Sequence, residues 1–510
     1  MKKFRKISAV LLSALIIALC ILPSFASDVP AQFAITNPYE GVDFDSFNQY
    51  KTALHTHTNA SDGSPTLKES IERHYETGFD IVATTDHGTV NYTWETPNED
   101  KLIHGVLNLL GRSKGELEYL GKSGCFNNGA EYTYATENGD DYLSFSDGRR
   151  IMRVPFGIEQ NAVSANAHVN SWFADYHNNS LTTYNDAVRG VTNAGGVCVI
   201  NHPGEYSKAR YEIRTENAYN QNIFAYRYFI NKVASLISKY DACIGIDINS
   251  KGDGRTRFDR KLWDNLLGRF SANGENLFAI CSSDAHQLDK IDTGFIYTLM
   301  PTLDSASLRK ALECGRFFGA SHCIGNPDEL GQIADALKEF YGETDIYNNI
   351  KNAYDEMLQR ADDIESGKLD ADDDLSLTYN VLDDKGYCKA DTEPMITKIS
   401  VDNIDGAITI ESENALIVRW ISEGKLIATQ KADEATISLA DYKDSLGNYI
   451  RAEVFGEGGI LYTQAFLINA EQNAGKSNPV DGGFMDFGIL DCLFGIFQNW
   501  KEILGRMIKI

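Results

Sequence analysis

Two histidines and an aspartate stand within eight residues in Leu54-His55-Thr56-His57-Thr58-Asn59-Ala60-Ser61-Asp62-Gly63. If Lys51 to His57 form a strand, His55 and His57 project to one face, because alternate side chains of a strand do so. Two imidazoles at a strand end are a ligand pair for a metal ion. A pair alone also looks like a solvated loop, so its meaning depends on partners elsewhere.

The chain supplies them. Polar residues end or follow short apolar runs at Asp86-His87, Glu159, His168, His202, Asp284 and His286. The candidate metal ligands are therefore His55, His57, Asp62, His87, Glu159, His168, His202, Asp284 and His286, which include six of the ten histidines. So much imidazole and carboxylate desolvated together is costly without cations. The donors are borderline imidazoles and hard carboxylates with no cysteine among them, a set that suits Zn²⁺, Mn²⁺ or Fe²⁺.

These residues must be carried by elements that bring them to one place. Asp80 to His87, Val197 to His202, Cys243 to Asn249 and Leu277 to His286 each read as an apolar strand that ends in polar residues. Helices are expected between them: from Ser64-Pro65 to Gly78, from Thr183 to Ala194, from Ala218 to Tyr240 and from Arg257 to Asn273. Apolar strands alternating with helices form a parallel sheet or barrel, whose functional groups gather at the strand C-terminal ends. The Gly-, Asn- and Asp-rich stretch from Trp94 to Pro155, with a hairpin at Glu131 to Leu143, reads as an insertion over that rim.

The motifs His-Thr-His-Thr at 55–58 with Ser61-Asp62-Gly63, Thr85-Asp86-His87, Gly157-Ile158-Glu159, Asn201-His202-Pro203 and Ser283-Asp284-Ala285-His286 resemble, in order, the polymerase and histidinol phosphatase (PHP) domain family. The resemblance covers about residues 50 to 323. It implies a distorted (β/α)7 barrel and hydrolysis of phosphate esters at two or three divalent metal ions. Carried over by position, His55, His57, Glu159 and Asp284 hold one ion, Glu159 bridges to a second held by His168 and His202, and Asp62, His87 and His286 hold a third. Glu131 is a rival bridge, and Glu159 is favoured because a histidine follows it closely. The residues expected to carry catalysis are His55, His57, Glu159, Asp284 and His286. A hydroxide shared by two ions roughly 3.5–4 Å apart can attack phosphorus in line. Asp86 reads as a group behind the ligands, Asp247 and Asn249 as groups behind the ligands or facing substrate, and Lys208, Arg210, Arg255 and Arg257 as candidate phosphate contacts.

The remainder of the 510 residues is organised around this unit. Residues 1–26, basic and then apolar up to Ser24-Phe25-Ala26, read as a secretory signal peptide, which places the protein outside the cell, on its surface or in a periplasm. The apolar run is short for a membrane span, and Leu19 before Cys20 is too large for a lipoprotein signal. Cysteines such as Cys198 and Cys281 lie in apolar runs and read as core thiols. Residues 27–324 are assigned to the barrel, 325–395 to an acidic helical insert or linker, 396–470 to a small β-sandwich and 471–510 to a linker and an amphipathic helix. That last helix is a candidate for membrane-surface contact. The carboxylates from Asp370 to Asp384 lack the spacing of a calcium loop.

A net charge of −25 argues against nucleic-acid binding by backbone neutralisation. The sequence thus points to an exported metal-dependent phosphoesterase acting on a small or surface-attached phosphate mono- or diester. The alternatives are a metal-dependent hydrolase of another ester or an amide, and a cell-surface binding module on a metal-stabilised barrel.

Overall fold

The computed structural model describes residues 33–96, 117–162, 167–177, 183–250, 252, 254–369, 378–482 and 485. The expected signal peptide and C-terminal amphipathic helix lie outside these residues, as do Asp370 to Asp374. The fold is mixed α/β, with the candidate site at one end of a set of short buried strands.

Those strands are linked in a ring. Asn48–Ala53 pairs in parallel with Ile81–Val82, which pairs in parallel with Arg150–Arg153. The chain leaving Arg153 runs into Ile158–Ala162, where Glu159 bridges back to His87. Next come Ala167–Trp172, Val197–Ile200, Cys243–Asp247 and Phe278–Ile280. A final bridge from Ala285 to Thr56 returns to the first strand.

One strand departs from the parallel expectation. Ala167–Trp172 is antiparallel to both neighbours. Only four residues connect it to Ile158–Ala162, a length that suits adjacent antiparallel strands. An antiparallel strand begins at the rim where its parallel neighbours end. His168 therefore sits at the start of its strand, beside ligands that sit at the ends of theirs.

The helices between strands have legible causes. Leu67–Glu76 is closed at its start by a capping box between Thr66 and Glu69, so Thr66 rather than Ser64 is the cap. Tyr184–Asn193 has the same device in Thr183 and Asp186. Phe224–Lys239 and Asp259–Ser271 begin later than the pattern suggested, and bury Ile230, Val233, Leu262, Leu266 and Leu267 against the strands.

Two further expectations need correction. The described part of the 94–155 insertion extends the sheet sideways instead of covering the rim: Ser123–Cys125, Glu131–Glu137 and Asp140–Phe145 pair in sequence onto Arg150–Arg153. The region after 325 is not a solvated insert. Pro327–Tyr341 and Asp345–Glu365 carry acidic outer faces but bury Leu330, Ile333, Leu337 and Ile350 in the main core.

The strands from Met395 to Ile468 are antiparallel, as their alternation predicts, but they are not a separate module. Gly459–Tyr462 pairs with Phe317–Ser321, which pairs with Gly294–Met300 and, through it, with the first strand. The exposed edge that Phe317–Ser321 would present is thereby covered. A buried ion network reinforces the join: Arg451 holds Asp264 of the helix Asp259–Ser271 at 2.8 Å and Glu453 at 2.6 Å. No disulfide joins the described cysteines. Among the described residues no helix is long and apolar enough to cross a membrane.

Candidate metal centre

All nine predicted ligands are described, and the ring of strands brings them together. Glu159 lies at the centre, with 0% exposure. Its Oε1 is 2.9 Å from His168 Nδ1 and 3.2 Å from His202 Nε2, and it accepts a hydrogen bond of 2.8 Å from the Asn201 amide. Its Oε2 is 3.1 Å from His87 Nδ1, 3.2 Å from His57 Nε2 and 3.5 Å from His55 Nε2. One carboxylate thus divides its two oxygens between two groups of imidazoles. Glu131, the rival, is exposed on the lateral hairpin opposite Cys125.

Asp284 closes the first group, its Oδ1 3.2 Å from His55 Nε2 and 3.1 Å from His57 Nε2. Asp62 gathers the outer group, 3.2 Å from His286 Nε2, 3.6 Å from His87 Nε2 and 3.7 Å from His57 Nδ1. The side chains grade from a sealed floor to an open edge. His55, His57 and Glu159 are fully enclosed, whereas His286 is 32% exposed.

Close backbone approaches hold these positions. A Cβ at Gly157 would stand 2.5 Å from the Thr84 carbonyl oxygen, and one at Gly63 would stand 2.7 Å from the His57 carbonyl. Glycine is required at both for steric reasons, and each lies within two residues of a carboxylate of the cluster. His202 and Asp284 have φ of +24° and +43°, a conformation that non-glycine residues seldom adopt. Strain of this kind survives only where the surrounding structure over-determines it.

The electrostatics are those of a site built for cations. Burial opposes ionisation of Glu159, yet His168, His55 and His87 hold its carboxyl well below the ordinary range. Asp62 is lowered against burial by His87, His286 and His57. Burial also opposes the charged form of His57, but Asp284 and Glu159 outweigh it and raise the imidazole well above its usual value. Burial wins at His55, which is lowered, and at His87, pushed down to about 3. Glu159 Oε2, buried among three imidazole nitrogens, has no hydrogen bond of normal geometry. His55, His57, Glu159 and Asp284 form one group whose ligand atoms lie within 4.8 Å of one another, and His57, Asp62, His87 and His286 form another. These donors fit divalent ions, and the absence of thiolate keeps the set in the range of Zn²⁺, Mn²⁺ or Fe²⁺.

The groups behind the ligands were partly legible. Asp86 accepts from the Thr58 amide and hydroxyl, each at 2.8 Å, and from Ser61 Oγ at 2.6 Å. Asp247, raised to about 6 by burial, accepts from Ser282 Oγ and from the Asn249 amide. Asn249 donates to the Cys323 carbonyl at 3.3 Å.

The four predicted phosphate contacts behave differently. Lys208 is exposed. Arg210 and Arg257 donate to the backbone carbonyls of Glu205 and Glu212. Arg255 pairs with Glu205 at 3.0 Å, and Glu205 in turn is 3.3 Å from His202 Nδ1. Glu205, Ser61 and Ser282 were missed, as was Tyr206, whose hydroxyl is 2.9 Å from His168 Nδ1. Glu205 carried a signal, three residues beyond a candidate ligand on a short helix.

Comparison with known proteins finds no matching family model and no matching curated protein. Solved structures do match. A two-domain protein from Bacteroides vulgatus, described as containing a predicted PHP-like metal-dependent phosphoesterase, is 12% identical, with a TM-score of 0.30 over 83% of this chain and 88% of that one. PsfC from Pseudomonas syringae is 13% identical, with a TM-score of 0.29 over 51% of this chain and 88% of its own. A lesion-specific endonuclease from Pyrococcus furiosus is 12% identical, with a TM-score of 0.27 over 52% of this chain and 56% of its own. The overlap is low, and the functional argument rests on the side chains themselves.

Proposed function

We propose that the chain is an exported, metal-dependent phosphoesterase built on a distorted barrel of the PHP type. The observation that carries this reading is the buried Glu159 carboxylate with five imidazoles within 3.5 Å, divided between its two oxygens. Such a group serves as a bridge between cations. His55, His57, Glu159 and Asp284 would hold one ion, His168 and His202 with Glu159 a second, and Asp62, His87 and His286 a third at the open edge.

Bound there, divalent ions supply Lewis acidity toward phosphoryl oxygens and a nucleophile from water at neutral pH. The protein's own residues do the remaining work. The sealed floor of His55, His57, Glu159 and Asp284 excludes bulk solvent, which strengthens every charge interaction at the reacting end. His286, the most exposed of the nine, is the imidazole that meets an incoming ester. Glu205 holds His202 from behind and keeps Arg255 at the edge, where its remaining N–H groups suit a phosphate.

The substrate is a small or surface-attached phosphate ester, reached from the His286 side. The basic-then-apolar stretch at 1–26 supports export, and the amphipathic pattern of 471–510 supports contact with a membrane surface.

The test is hydrolysis of aryl phosphate mono- and diesters by protein loaded with Zn²⁺, Mn²⁺ or Fe²⁺, with His57→Ala as control. Turnover by the wild type and its loss in the variant is the expected result. Metal-replete protein inert toward both ester classes overturns the reading.

A further inference from the structure

Behind the two central histidines the structure places the same device twice. His55 Nδ1 lies 3.4 Å from Ser282 Oγ, and Ser282 Oγ donates to Asp247 Oδ2. His57 Nδ1 lies 3.3 Å from Ser61 Oγ, and Ser61 Oγ donates to Asp86 Oδ1 at 2.6 Å. The serines come from different parts of the chain, one from the loop after Thr58 and one from the end of the strand Phe278–Ile280. All six side chains are buried.

A hydroxyl has one proton. An ionised carboxylate only accepts, so each serine must give that proton to its aspartate and turn a lone pair toward the imidazole. The imidazole nitrogen facing that lone pair must then be the protonated one. We infer that Ser282 with Asp247, and Ser61 with Asp86, are positioning residues that keep a proton on Nδ1 of His55 and of His57 and turn both Nε2 atoms to the site.

The consequence explains an odd contact. His55 Nε2 and His57 Nε2 are 3.1 Å apart and each lies within 3.5 Å of Glu159 Oε2 and of Asp284 Oδ1. With the proton kept on Nδ1, the lone pairs of these four atoms converge on one point, an arrangement that a cation relieves and that, in its absence, a proton on Nε2 relieves. The serines hold a pre-set ligand geometry in the empty and the filled state alike. Direct hydrogen bonds from a ligand histidine to a carboxylate are a common means of orientation; here a serine is interposed at both, which lets a buried aspartate act across a greater distance.

The inference rests on these histidines being metal ligands, as proposed above, but its test does not need metal. In chelator-treated full-length protein labelled with ¹⁵N-histidine, long-range ¹H–¹⁵N correlation reports which ring nitrogen is protonated. His55→Ala and His57→Ala assign the signals. Wild type is expected to show Nδ1–H at both, with Ser282→Ala altering only the His55 signals and Ser61→Ala only those of His57. Each variant is also expected to weaken Zn²⁺ binding, measured against a competing chelator, by about 10–100-fold, with Ser61→Thr restoring part of the loss. An unprotonated Nδ1 at either histidine in wild type overturns the inference, as do unchanged ring signals in both folded serine variants. Wild type that shows the Nδ1–H forms but binds no Zn²⁺ overturns the metal reading and leaves the relay standing.

Discussion

Gly157 is the position where a single methyl group should disable the site from behind. Its added Cβ would meet the Thr84 carbonyl oxygen at 2.5 Å, and ordinary contact begins at 3.4 Å. The obstacle is backbone, so no side chain can swing aside, and the two segments must part by about 0.9 Å. The neighbouring hydrogen bonds are from Glu159 N to Thr85 O at 3.2 Å and from Asn91 N to Gly157 O at 2.9 Å. Parting the segments stretches the first beyond useful length.

Overpacking of this kind costs about 1–3 kcal/mol, and a lost backbone hydrogen bond adds about 1 kcal/mol. Gly157→Ala should therefore lower the melting temperature by about 2–4 °C. Glu159, two residues on, moves with the strand, and a shift near 1 Å at a reacting centre costs about a hundredfold in rate. The assay is kcat/KM on an aryl phosphate beside thermal melting, with Gly482→Ala, whose Cβ meets only open space, as control. A Gly157→Ala protein with wild-type melting and wild-type kcat/KM would refute the claim that this close approach sets the position of Glu159.

His74 supplies a pH signature away from the site. It is fully buried, donates through Nδ1 to the Ser70 carbonyl at 2.7 Å and is pushed down to about 4 by burial. Its neutral form is the folded one, so its contribution is complete above the ordinary value of 6.5 and is lost as pH falls from there toward 4. Between pH 7 and pH 5 that amounts to about 2 kcal/mol. Denaturant titrations should show a smaller loss over this interval in His74→Gln, and equal slopes in both proteins would count against it. Lys51 joins the two halves of the sheet, its ammonium 2.8 Å from Asp292 and 2.9 Å from Glu393. Lys51→Met leaves the buried carboxylate of Asp292 beside the half-buried one of Glu393 and should destabilise by about 3 kcal/mol. Adding Glu393→Gln should recover part of that, and a Lys51→Met protein that melts like wild type contradicts it.

The candidate ligands were legible because chemistry marks them: an imidazole or carboxylate that ends an apolar run is conspicuous wherever the strand lies. What lay beyond reach is non-local. Nothing in the periodicity of Ala167–Trp172 tells that it runs against its neighbours. The pairing of Phe317–Ser321 with Gly459–Tyr462 joins segments far apart in sequence, so the C-terminal strands looked like a separate module. Ser61 and Ser282 are ordinary loop serines until the fold sets Asp86 and Asp247 behind them. The ion pair between Arg255 and Glu205 joins two loops and is likewise invisible in the sequence.

If Glu159 bridges cations and hydrolysis depends on them, metal content and activity must fall together when its charge is removed. Metal bound per chain, measured by elemental analysis after equilibration with Zn²⁺, Mn²⁺ or Fe²⁺ and removal of excess, tests it in wild type and Glu159→Gln together with aryl phosphate hydrolysis. Two or three ions per chain are expected in the wild type, and loss of both an ion and activity in the variant. A Glu159→Gln protein that keeps the full complement of metal and full activity would contradict it.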